Sequence, residues 1–244
     1  MPLAVGTRII GSARTFLSMS HDEVLRRLEQ LCVDHLASLD GDVAHDLDHL
    51  QRVVANAKAI GRAEGADMRV VVPSAWLHDC VAVPKNSPYR SEASALAAAE
   101  ATRLLVLWGF GDLPLAEIAH AIQAHSFSAG LPAESLEAQV LQDADRLDAL
   151  GAIGLARCLM LGGELGRPLY VMADPFCAQR DPDDLAATVD HFYTKLLHLA
   201  GRFQTRAGRA EAERRTDVLR RFLSDLTHEL AWAAEPPRES SPGS

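Results

Sequence analysis

Apolar residues return every three or four positions along most of this 244-residue chain, and no stretch of strand length alternates apolar with polar. Val24, Leu28, Leu31, Cys32 and Leu36 make one such stripe, opened by Ser20 and Glu23 at capping-box spacing. Leu47, Leu50, Val53, Val54, Ala57 and Ile60 make a second, on a helix that starts near residue 46 and stops at Gly61 or Gly65. Such a period buries one face of a helix and cannot serve a sheet. Composition agrees, since aromatic residues are only 5% of the chain while Ala and Leu are abundant.

The same reasoning predicts a buried helix over 70–80, apolar on nearly all sides, with Pro73 in its first turn or at a kink. Helices follow over 91–108, over 112–125 with Pro114 in the first turn, over 133–150 and on through 151–161. Residues 81–90 read as a loop, and residues 162–184, rich in Gly and Pro, as a long, partly ordered one. Helices over 185–199 and 207–232 close the chain. No repeat and no linker divides it, so the expectation is one all-α domain over residues 20–233. Flexible tails are expected over 1–19 and 234–244. Arg8 and Arg14, with no acid before Asp22, give residues 1–20 a faint likeness to a transit segment, but a disordered tail accounts for them.

A net charge of −9 leaves no basic stripe for a nucleic acid polymer, though a local basic pocket for one anion is compatible with it. No apolar run approaches the ~20 residues that span a bilayer. Cys32, Cys80, Cys158 and Cys177 have no paired spacing and read as reduced thiols of a cytoplasmic protein. Self-association is compatible with this organisation.

Four polar clusters interrupt the apolar helices: residues 45–53, with His45, Asp46, Asp48 and His49; residues 76–79, with His78 and Asp79; residues 85–90, with Lys85 and Arg90; and residues 142–149, with Asp143, Asp145 and Arg146. A buried carboxylate or imidazole is costly unless it pairs or binds a metal. Salt bridging within each cluster is one solution. A mixed nitrogen–oxygen metal site is the other, suited to Mn, Fe, Co, Ni, Mg or Zn. Asp143 and Asp145 lie about 200° apart on a helix, so only one of them can face such a site.

His49-x-x-Arg52-Val53, Leu77-His78-Asp79 and Asp143-Ala144-Asp145-Arg146-Leu147 resemble the H…HD…D signature of the HD-domain phosphohydrolase superfamily. The likeness extends over residues 78–85, 120–128 and 145–156 and is closest to the small stand-alone bacterial members. It implies an HD-domain-like helical bundle and one divalent ion, manganese first, held by His49, His78, Asp79 and Asp145. It favours Asp145 over Asp143, which becomes a supporting partner or the start of a capped turn. His45-Asp46 also spells the motif, but at a hydrophilic helix start, where Asp46 could orient His49. Asp79 would orient or deprotonate a water. Lys85 and Arg90, on the loop leaving the motif, would meet phosphate oxygens.

His120 and His125 are five positions apart, about 140° around a helix, and do not suit one shared metal, which argues against a di-iron oxygenase. His120 is the one expected to contact substrate or act as general acid. The activity implied is hydrolysis of a phosphorylated nucleotide, with release of pyrophosphate from a nucleoside triphosphate favoured. A catalytically weak module that binds a nucleotide or partner as a sensor is the alternative.

Overall fold

The computed structural model describes residues 20–37, 47–81, 83, 87, 90–126 and 130–234. The all-helical expectation holds, since no strand occurs among the described residues. None of their helices is long and apolar enough to cross a membrane. The chain divides into two compact units, Met1–Val54 with Asp67–Leu141, and Ala55–Ala66 with Gln142–Ser244. Two of the three boundaries fall inside helices and the third in the turn after one.

The first unit contains α1 (His21–Ala37), the opening turns of α2 (Leu47–Glu64), α3 (Met68–Leu77), α4 (Ala93–Leu107), α5 (Leu115–His125) and the start of α6 (Leu136–Arg146). The capping box forms as expected. The Ser20 amide donates to Glu23 Oε2 at 2.7 Å, and the Glu23 amide donates to Ser20 Oγ at 3.4 Å. Helix α3 starts at a true N-cap, where Asp67 accepts the Arg69 amide at 2.9 Å.

Val70 through Leu77 are all buried, and α3 packs on α1, α4 and α5, which explains why its apolar residues cover every side. Two details differ from expectation. Pro73 lies in the second turn, where it removes one backbone hydrogen bond. The helix ends at Leu77, not at residue 80, because the Cys80 amide folds back onto the Leu77 carbonyl at 3.3 Å. His78 and Asp79 thus occupy the turn that leaves the most buried helix of this unit.

The second unit contains the ends of α2 and α6, α7 (Gly151–Glu164), α8 (Asp190–Thr194) and α9 (Arg206–Ala234), with 3-10 turns at Leu147–Ala149 and Leu196–Arg202. The helix expected over 133–150 is shorter, α6 passing into the 3-10 turn at residue 147. Leu150 is extended and Gly151 sits at φ +71, a left-handed conformation glycine adopts without strain, so α7 begins as a separate helix. Helix α9 packs on α7 and on both 3-10 turns.

The helix expected over 185–199 is a correction. Its first amides are used elsewhere: those of Thr188 and Val189 donate to the Pro168 and Leu169 carbonyls at 3.0 and 2.9 Å. Only the short α8 and the 3-10 turn after it remain helical. The segment before it carries side-chain hydrogen bonds that its glycines and prolines did not suggest. Asp174 accepts the amides of Ala178 and Gln179 at 2.9 and 2.8 Å, and Arg180 pairs with the fully buried Asp190. All four cysteines are free thiols.

Candidate metal centre

Three of the sequence-predicted ligands converge. One donor atom each from His49, His78 and Asp79 lies within 4.8 Å of the others. His49 stands in the first turn of α2 and His78 at the C-cap of α3, their ring centroids 5.9 Å apart. His78 is fully buried, whereas the Asp79 side chain is 59% exposed, so the cluster has an inner and an open side.

The chemistry of the donor set fits a cation. His78 Nδ1 lies 2.9 Å from the Ala75 carbonyl oxygen, which can only accept. The proton is therefore on Nδ1, and in the neutral ring Nε2 presents a lone pair. That Nε2 faces Asp79 Oδ2 at 3.6 Å, a lone pair set against a carboxylate. Two acceptors turned toward each other repel unless positive charge lies between them, supplied by a proton on Nε2 or by a cation, and a set of two imidazoles and a carboxylate suits a divalent ion of nitrogen and oxygen preference.

Desolvation by the surrounding protein would raise the Asp79 carboxyl, but when the rings are protonated the charge of His78, then the hydrogen bond and charge of His125 and the charge of His49, outweigh it and hold the group well below the usual carboxylate range. Asp79 is thus ionised throughout the neutral region, the form a metal ligand needs.

The structure adds His125 to this neighbourhood. Its ring meets that of His78 edge-on at 4.9 Å, and its Nε2 lies 3.6 Å from Asp79 Oδ1. Its Nδ1 is engaged by the Ile122 carbonyl at 2.6 Å, the same arrangement as in His78. The sequence expectation placed His120, not His125, at the substrate. His120 does not belong to the converging donor set, and its Nε2 is buried without a hydrogen-bond partner among the described residues. No local pattern in the sequence separates His125 from His120, since both lie on one helix whose Ile118, Ala121, Ile122 and Ala124 are buried.

Asp145 lies in the last turn of α6, partly buried, in the second unit. Asp143 is fully buried there and already committed. It accepts the amides of Gln204 and Thr205 at 3.0 and 2.8 Å and the Thr205 hydroxyl at 2.8 Å. That hydroxyl in turn accepts the Gly208 amide at 3.0 Å, so Asp143 anchors the N-cap of α9. His45, Asp46 and Lys85 lie outside the described residues. Arg90 opens a 3-10 turn, Arg90–Glu92, at the entrance to α4.

Comparison with known proteins identifies the family. The HD domain model matches residues 46–150. The Bacillus subtilis protein YpgQ, itself uncharacterised by name, is 33% identical over 195 residues, 78% of this chain and 87% of that protein. Its crystal structure in complex with ADP matches with a TM-score of 0.63, at 28% identity, over 91% of this chain and all of that one. An HD-superfamily hydrolase from Bacillus thuringiensis matches with a TM-score of 0.67, at 28% identity, over 88% of this chain and all of that one. The His49, His78 and Asp79 cluster falls inside the matched region, and the chain belongs to the HD-domain family, with the helical fold of an HD-superfamily hydrolase.

Proposed function

We propose that the protein is a metal-dependent phosphohydrolase that cleaves phosphorylated nucleotides, with a nucleoside triphosphate giving the monophosphate and pyrophosphate. The observation that carries this reading is the convergence of His49, His78 and Asp79 with their acceptor atoms turned toward one another. The ADP complex of the B. subtilis relative supports a nucleotide as the substrate class. When bound, a divalent ion, manganese first, supplies polarisation of a phosphoryl oxygen and activation of water near neutral pH.

His49, His78 and Asp79 would hold that ion, and Asp145 is the fourth ligand by its place in the H…HD…D pattern. The Ala75 carbonyl fixes the tautomer and aim of His78. Asp79, kept ionised, accepts a hydrogen bond from the attacking water and orients it; its low proton affinity makes it a poor store for the proton. His125, when protonated on Nε2 as well, would steady that carboxylate from beside Oδ1. Lys85 and Arg90 are assigned to phosphate oxygens, as a polyanionic substrate on a chain of net charge −9 requires local cations. His120 is assigned a contact with substrate.

The test is a screen of nucleoside triphosphates, diphosphates and simple phosphate monoesters with Mn, Co, Mg and Ni, with early products separated by anion exchange. Monophosphate and pyrophosphate formed together from a triphosphate are expected. Diphosphate accumulating before monophosphate contradicts the pyrophosphate-releasing version, and turnover confined to monoesters contradicts the nucleotide assignment.

A further inference from the structure

Helix α6 ends at Arg146, so the carbonyls of its last turn have no partners within the helix. Around Asp145, the Ala144 carbonyl of that turn and the Leu147 carbonyl of the 3-10 turn after it, which also accepts the Leu150 amide at 3.1 Å, are met by a side-chain relay that originates on α9. Arg215 Nη1 donates to the Leu147 carbonyl at 3.0 Å, and Nη2 donates to Asn56 Oδ1 at 3.0 Å. The Asn56 amide nitrogen then donates to the Ala144 carbonyl at 3.4 Å. Arg215 is itself fixed by Glu211, whose Oε1 accepts its Nε at 2.7 Å.

Room for the arginine stem comes from Gly151. A Cβ there would lie 3.2 Å from Arg215 Cγ. One planar guanidinium thus holds the turn after Asp145 directly and, through Asn56, the residue before it, a two-pronged geometry the point charge of a lysine cannot reproduce. All of these groups belong to the second unit, and Glu211 and Arg215 lie outside the region that the family model matches.

We propose that Arg215, with Asn56, is a positioning residue that sets the direction in which Asp145 presents its carboxylate for metal binding. This rests on the assignment of Asp145 as a ligand made above. Partners of this kind typically change metal affinity by about 10- to 100-fold when removed.

The experiment is a double-mutant cycle read by calorimetric titration of Mn²⁺ alone into metal-free full-length protein. The set is the parent, Arg215→Met, Asp145→Asn and the double variant, with far-UV circular dichroism to establish folding. Arg215→Met is expected to weaken Mn²⁺ binding about 10- to 100-fold in the parent and to change it less than threefold in the Asp145→Asn background. Equal losses in both backgrounds, or none in either, overturn the proposal while leaving Asp145 a ligand. Unchanged Mn²⁺ affinity in Asp145→Asn alone overturns the ligand assignment and the proposal together. If Arg215→Met does not fold, Asn56→Ala enters the same cycle, because it removes the link to Ala144 and the acceptor of Arg215 Nη2 while leaving the Arg215 bond to Leu147, and it is held to the same criteria.

Discussion

Replacing Asp143 by alanine should destabilise the protein severely while leaving its metal in place, because the carboxylate is spent on the start of α9. Three donors converge on it, but they are not equal. Thr205 is 3% exposed, so its amide and hydroxyl would both be left buried without an acceptor, at roughly 1–3 kcal/mol each. The Gln204 amide belongs to an exposed residue, and water can replace its partner at little cost.

Against this loss stands a gain. Burial raises the Asp143 carboxyl above its ordinary range despite its hydrogen bonds, so the folded protein already bears a cost for keeping it ionised. The net expectation is about 2–4 kcal/mol, or a fall in Tm of roughly 5–15 °C for a chain of this size. Urea unfolding of the metal-free protein followed by circular dichroism measures it, and metal analysis of the folded variant completes the test. A variant within about 0.5 kcal/mol of the parent that has lost its metal would refute the reasoning and make Asp143 the ligand.

Three other outcomes follow from the geometry. Gly208→Ala, a change that ordinarily stabilises a helix, should cost about 1–3 kcal/mol in the same urea assay, because the new Cβ would lie 2.6 Å from Asp143 Oδ2; a gain in stability would refute it. Hydrogen bonds from Arg214 and then Arg215 hold the Glu211 carboxyl down at about 2 from its ordinary 4.5. A lowered folded-state value stabilises above pH 4.5 and is lost as pH falls toward about 2. The parent's advantage over Glu211→Gln, on the order of 1 kcal/mol at this partly exposed site, should therefore shrink over that window and not above it. Lys85→Ala should lower kcat/KM for a nucleoside triphosphate by at least about tenfold with metal content unchanged, and an unaltered kcat/KM would return Lys85 to an ordinary loop charge.

The sequence carried the helices wherever burial alone decides. Val70 through Leu77 and the Ser20 capping box were readable because one local pattern fixes each. The helix expected over 185–199 was not, because its outcome depends on residues 168 and 169 capturing the amides of Thr188 and Val189, a pairing that no local period encodes. In the candidate centre, polar residues misplaced in apolar helices marked the clusters, and the resemblance to the H…HD…D pattern singled out His49, His78 and Asp79 within them. The choice between His120 and His125 was not legible, since both share a helix and only the packing of α5 against α3 decides which ring meets His78. Asp143 and Asp145 differ in the same way. Their spacing says that one faces away from the other, and the α9 cap, more than sixty residues further along, claims Asp143.

Mn²⁺ titration of metal-free protein by calorimetry asks whether His49, His78 and Asp79 hold a metal. One Mn²⁺ per chain is expected in the parent, with loss of most binding in folded His49→Ala, His78→Ala and Asp79→Ala. Parent-like Mn²⁺ affinity in all three variants would contradict that assignment.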